Sequence, residues 1–235
     1  MAMNWAQLLN RDRPRKSTNP GDHRTEFERD FDRAVFSNPV KRLQDKAQVF
    51  PLELHDAVRT RLTHSLEVSS VARGIGVDVA KWLVKEKQIE SGQDRWIETI
   101  AATCGLIHDL GNPPFGHSGE NAIREWFDQR FGLPKLSRMF RRKPQLVQDL
   151  LKFDGNAQSL RLIGKLQILA DYNGLNLTYG TLSASCKYTA RSDEAGKGKD
   201  HARAKPGFFA SENELVKKIR DAAGRGTQKT RLLFS

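Results

Sequence analysis

Residues 96–120 read WIETIAATCGLIHDLGNPPFGHSGE: an apolar run meets His108 and Asp109, breaks on Gly111, Pro113 and Pro114, and restarts with His117 and Glu120. Trp96, Ile97, Ile100, Ala101, Cys104 and Ile107 recur at steps of one, three and four, so they share one face of an amphipathic helix. Gly111 supplies the stop signal and the two prolines reinforce it. On an ideal helix, adjacent side chains point about 100° apart, by its 3.6-residue period. At a helix end the backbone is released, and His108 and Asp109 can converge on one ligand. An ionisable pair closing an apolar helix is costly unless something pairs with it. A divalent cation would do so. Imidazole with carboxylate suits Mn²⁺, Fe²⁺, Co²⁺, Ni²⁺ or Zn²⁺, and Mg²⁺ where waters complete the shell. The competing reading is a helix C-terminus at which His108 favours the dipole and Asp109 faces water.

Three neighbours favour the cation. His64 lies 44 residues upstream, at the start of another helical pattern, and that spacing lets a helical hairpin return it beside His108 as a third ligand. His117 and Glu120, three apart, share a helical face and present a base with a carboxylate to orient it. Between the two pairs, Asn112 to Gly116 form a stiff link suited to a preformed site. His55 and Asp56 repeat the same two letters without an apolar helix leading into them, and read as surface or capping residues.

Outward from this stretch, helical periods predominate. The first 50 residues read as an exposed arm leading into a helix marked by Phe27, Phe31, Ala34 and Val35. A helix is expected over Thr63 to Val84, bent or broken at Gly74 and Gly76. Ser118 or Gly119 opens the next, with Ala122, Ile123, Trp126 and Phe127 as a buried stripe. Residues 156–170 read as helix by their Leu and Ile spacing, residues 191–207 as loop, and Ser211 with Glu214 as the capping box of a last helix. LNLTYGTLSASCKYT, residues 175–189, mixes both periods and takes no assignment. The expectation is an all-α fold with a minor β-hairpin after residue 170.

The chain has 235 residues and a formal net charge of +11, enough for one good core and a surface that attracts polyanions such as nucleotides or nucleic acid. No apolar run reaches the roughly 20 residues that span a bilayer, and the start lacks a secretory signal, so a cytoplasmic protein without membrane contact is expected. Two distant cysteines, Cys104 and Cys186, make no disulfide framework.

The strings RLQDKAQVFPL (42–52), RTRLTHSLEVSSVARGIG (59–76), CGLIHDLGNPPFGHSGENAI (104–123) and FDGNAQSLRLI (153–163) together resemble the HD-domain metal phosphohydrolases, in their deoxyguanosinetriphosphate triphosphohydrolase (dGTPase) branch. The resemblance runs from about Arg42 to Tyr188. It implies an HD-domain helical core over residues 41–190, after an arm and first helix (1–40) and before a basic loop and helix (191–235). It implies hydrolysis of a deoxynucleoside triphosphate, dGTP foremost, to deoxynucleoside and inorganic triphosphate, with one divalent metal ion, Mn²⁺ or Mg²⁺ foremost. His64, His108 and Asp109 would match the metal ligands and His117 with Glu120 the catalytic pair. Gln48 would match a residue near the sugar 3′-hydroxyl, and Asn156, Lys187 and Tyr188 residues touching phosphates or sugar. A homo-oligomer is also implied. Beside the resemblance, Arg59 and Arg61 read as phosphate holders for a polyanionic substrate.

The family's fourth metal ligand, an aspartate in a string like EAADDI, finds no match, and the expectation is a chain incomplete relative to the family, with water or another group completing the site. Two alternatives stand. One is an HD hydrolase of another nucleotide. The other is a non-catalytic subunit that binds nucleotides or single-stranded DNA through Arg138, Arg141, Arg142 and Lys143.

Overall fold

The computed structural model of the chain describes residues 4–17, 22–46, 60–166, 171–196, 198 and 200–224. Its helices are α1 (Trp5–Leu8), α2 (Glu26–Val35), α3 (Asn38–Lys41), α4 (Arg61–Lys85), α5 (Asp94–Ile107), α6 (Gly116–Phe131), α7 (Pro134–Phe140), α8 (Pro144–Leu151), α9 (Gly155–Gly164), α10 (Tyr179–Ala184) and α11 (Asn213–Ala223). Among the described residues the β structure is one pair, β1 (Ala190–Arg191) with β2 (Pro206–Phe208). These strands run parallel, so the small β element is not the hairpin expected from the sequence. A parallel pair needs a crossover rather than a tight turn, and residues 192–205 provide it with a 3₁₀ turn at His201–Arg203.

Helices α4 and α5 form the hairpin that the distance between His64 and His108 requires. Glycine stands at both ends of their contact. A Cβ on Gly105 would lie 2.8 Å from Ser69 Cα, and one on Gly76 would lie 3.0 Å from Ala101 Cβ. Gly76 therefore does not break α4; the helix runs unbroken past Gly74 and Gly76, and Gly76 lets α5 approach. The Ser69 hydroxyl fixes the register by donating to the Ala102 carbonyl at 2.8 Å.

Helix α5 lies between two apolar clusters. Ile97 and Ile100 pack with Phe27, Ala80 and Leu83, while Leu106, Ile107 and Leu110 pack with Leu160, Ile163, Leu177 and Leu182. Each fully buried Leu or Ile contributes about 1.5–3 kcal/mol, so α5 is held firmly over the length that ends at His108.

Elsewhere the expectations need correction. The arm is anchored, because buried Arg13 donates to Asp30 Oδ1 at 2.5 Å and to the Asn176 carbonyl at 2.6 Å. The expected stripe on α6 is not buried: Ala122 is exposed, Ile123 and Phe127 are half-buried, and Trp126, 46% exposed, meets Phe127 edge to face and lies under the Arg130 guanidinium. In α6 the buried side chain is Glu120, because this helix packs through its polar start. Helix α9 ends at Gly164, where the Leu175 N–H takes the Ile163 carbonyl at 2.8 Å; residues 167–170 lie outside the described residues. Ser211 caps nothing: it sits in a 3₁₀ turn, donates to Glu212 at 2.7 Å, and α11 begins at Asn213. In the unassigned segment, Thr178 caps α10, its hydroxyl accepting from Thr181 N–H at 3.2 Å. Among the described residues no helix is long and apolar enough to cross a membrane.

Gly105→Ala is expected to push α4 and α5 apart and lower stability by about 1–3 kcal/mol, read from urea unfolding. An unchanged midpoint would contradict the tight crossing.

Candidate metal centre and catalytic cleft

His64 sits in the first turn of α4, behind an N-cap in which the Thr60 hydroxyl accepts from Thr63 N–H at 3.2 Å. His108 follows the last residue of α5, and the chain tightens at once. Leu110 N–H donates to the Ile107 carbonyl and Asn112 N–H to the Asp109 carbonyl, each at 3.2 Å. This tightening brings the adjacent side chains His108 and Asp109 to one side.

One ligand atom each from His64, His108 and Asp109 lies within 4.8 Å of the others. The two imidazole centroids are 5.3 Å apart. His108 Nδ1 is 2.8 Å from the Gly105 carbonyl, which can only accept, so Nδ1 carries the proton and Nε2 keeps its lone pair. That Nε2 lies 3.3 Å from Asp109 Oδ1. The carboxylate is oriented from both sides: Arg61 Nη1 donates to Oδ2 at 2.6 Å and Asn112 Nδ2 to Oδ1 at 2.7 Å. Donors around a cation at about 2.0–2.3 Å stand at comparable mutual distances. The oriented His108 imidazole, the neighbouring His64 ring and a hydrogen-bonded carboxylate thus fit one divalent ion, with His108 and Asp109 held by the hydrogen bonds such ligands need.

The turn after Asp109 rests on the start of α9. Gly111, expected as a helix stop, is also required for this contact: its Cβ would lie 2.0 Å from the Gly155 carbonyl, and its N–H donates to Ser159 Oγ at 2.9 Å. Phe115 and Gly116 then take left-handed backbone angles, φ +65° and +55°, and start α6 two residues ahead of the expected Ser118. His117 falls in the first turn, with Nδ1 at 2.9 Å from Glu120 Oε2. Their environments differ sharply: the His117 side chain is 79% exposed and that of Glu120 is 3% exposed. Glu120 is held from behind, since Gly155 N–H donates to Oε1 at 2.7 Å.

A cleft of about 640 Å³ opens beside these groups, within the usual range for a small-ligand site. Val68, Ala72, Ile75 and Val79 of α4 line it together with His108, Asp109, His117, Asn156, Lys187 and Tyr188. Asn156 is fixed by Asp154 Oδ1, which accepts from its N–H at 2.9 Å and its Nδ2 at 2.8 Å. Burial, with the nearby Asp154 charge, raises the Tyr188 hydroxyl above its ordinary range and keeps it a neutral donor. Burial pushes the Cys104 thiol up to about 12, so Cys104 is an apolar part of the wall rather than a nucleophile.

Not every expected residue joins the cleft. Gln48 and Arg59 lie outside the described residues, as do His55 and Asp56. Arg61 is 5% exposed and engaged with Asp109, so it faces the ligand rather than open space. Lys205 was missed: it lines the cleft, with Nζ 4.0 Å from Asp154 Oδ2, and no spacing in the sequence connects it to residues so far upstream. Lys46 was missed too. Its Nζ donates to the Asn112 carbonyl at 3.1 Å, and burial together with the Arg61 charge lowers its pKa.

The family model named HD domain matches residues 61–153, the span from the base of α4 through the His108–Asp109 turn and the His117–Glu120 pair. Over these residues the chain is similar to HD domains. It is 43% identical to a deoxyguanosinetriphosphate triphosphohydrolase-like protein of Listeria innocua, over 94% of this chain and 49% of that protein. A protein of the same name from Pseudomonas aeruginosa LESB58 is 40% identical, over 94% of this chain and 49% of its own length. A deoxyguanosinetriphosphate triphosphohydrolase of Yersinia enterocolitica is 38% identical, over 85% of this chain and 44% of its own length. The chain spans about half the length of the curated relatives it matches.

Calorimetric titration of the chain with Mn²⁺ is expected to show one site, lost in Asp109→Ala and weakened about 10- to 100-fold in Asn112→Ala. Undiminished binding by Asp109→Ala would contradict the assignment.

Proposed function

We propose that this chain performs metal-dependent hydrolysis of a deoxynucleoside triphosphate, dGTP foremost, releasing deoxynucleoside and inorganic triphosphate. The observation that carries the reading is one cleft lined by His108, Asp109, His117 and the cations Lys187 and Lys205, with His64 beside His108 and Glu120 paired to His117. The names of the relatives support the choice of substrate.

When bound, a divalent cation would polarise a phosphoryl oxygen and lower the pKa of water, with Mn²⁺ or Mg²⁺ suited to the donor set. The chain's own residues do the rest. Lys187 and Lys205 draw the polyanion into the cleft, and Asn156 and Tyr188 offer neutral donors to its phosphates or sugar. Glu120 accepts a hydrogen bond from His117 Nδ1–H and so leaves the Nε2 lone pair free to accept a proton. Water oxygen joins the α-phosphorus, the bond to the 5′-oxygen breaks, and His117 relays the water's proton to the departing 5′-oxygen. Arg61 acts through Asp109, holding the carboxylate in place.

Surface features support two further parts of the reading. Val71, Ile75 and Trp82 form an exposed apolar row on α4 that suits self-association. Arg138, Arg141, Arg142 and Lys143 are exposed around α7 and suit contact with single-stranded DNA.

Incubating the purified chain with a panel of nucleotides and Mn²⁺, and separating products by ion exchange, tests the proposal. Triphosphate release from dGTP is expected, reduced about 10²- to 10⁴-fold in His117→Ala with metal binding kept. Pyrophosphate or monophosphate as the product, or full turnover by His117→Ala, would contradict it.

A further inference from the structure

We infer that Arg124 is a positioning residue that locks the His117–Glu120 pair, an inference resting on the reading of that pair as the proton-handling groups. Arg124 is one helical turn beyond Glu120 on α6, and its guanidinium spans four partners. Nη2 lies 3.4 Å from Glu120 Oε2 and 3.8 Å from Asp154 Oδ2, and Nε donates to the Phe153 carbonyl at 2.6 Å. Nη1 also donates to Asn121 Oδ1 at 3.2 Å.

Two nearly buried carboxylates face this one cation. Glu120 is 2% exposed and Asp154 1% exposed. The other ionisable groups facing them are His117 at Glu120 and Lys205 at Asp154, the latter 4.0 Å away. Buried carboxylates are costly without compensation, and the planar fork of an arginine can serve both while fixing the backbone between them. The bond to Phe153 matters most for position. It ties α6 to the turn whose next residues supply Asp154 and the Gly155 N–H that holds Glu120 Oε1. With Arg124 in place, Glu120 Oε2 is presented to His117 Nδ1; without it, the carboxylate and the exposed imidazole can rotate.

The test is ¹⁵N NMR of ring-labelled histidine in the full chain, with the His117 signal assigned from a His117→Ala spectrum. In the neutral ring of the wild type, His117 is expected as a fixed Nδ1–H tautomer. Arg124→Gln is expected to average both tautomers and to lower kcat about 10- to 100-fold, with KM changed no more than about twofold. Should Arg124→Gln fail to fold, Arg124→Lys decides: lysine cannot reach both Glu120 and the Phe153 carbonyl, so both tautomers are again expected. A folded variant that keeps the fixed tautomer while losing only thermal stability would overturn the proposal, since that is what a packing role alone predicts. The NMR result is independent of turnover, and absence of dGTP hydrolysis in the wild type would count against the substrate assignment alone.

Discussion

Where α4 and α5 cross, the backbones of Ser69 and Gly105 lie so close that a single added carbon at Gly105 would stand 2.8 Å from Ser69 Cα. That closeness decides where His64 and His108 stand, one turn from the crossing on each helix. Protein interiors are close-packed and relax only partly when forced apart, so the spacing of the two imidazoles is set by backbone contact and not by the rings themselves. The rings then face a carboxylate that Arg61 and Asn112 hold in one orientation. An arrangement with two lone-pair donors and an oriented anion at one point suits a cation better than it suits water.

A second constraint is the N-terminus of α9, which serves both halves of the site. The His108–Asp109 turn rests on it through Gly111, and Glu120 takes its Gly155 N–H. The first N–H groups of a helix lack internal partners and favour negative charge. Asp154 caps the helix, receiving Asn156 N–H, and stands within reach of Arg124 and Lys205. Ligands and catalytic pair are thus fixed relative to one another by short backbone contacts, while the His117 ring stays exposed at the cleft.

Much of this was legible in the sequence, for a physical reason. Apolar residues at helical spacing defined α4 and α5, and ionisable residues ending an apolar helix flagged the site. Gly76 misled because glycine has two uses. Local pattern reads it as a break, whereas here it admits a neighbouring backbone, which only the fold reveals. The stripe on α6 failed for a related cause: Trp126 satisfies the helical period but finds Phe127 and Arg130 rather than a core. Lys205 and Arg124 were invisible because their roles depend on Asp154 and Glu120, groups brought to them from elsewhere in the chain. Arg61 was seen as a cation near a phosphate site, and its engagement with Asp109 needed the turn to be known.

The most direct test of the central claim is pulsed electron paramagnetic resonance on the Mn²⁺-loaded chain labelled with ¹⁵N-histidine. Two imidazole nitrogens coupled to the manganese are predicted, one of them lost in His64→Ala and the other in His108→Ala. Manganese bound to the chain with no imidazole coupling would contradict the account.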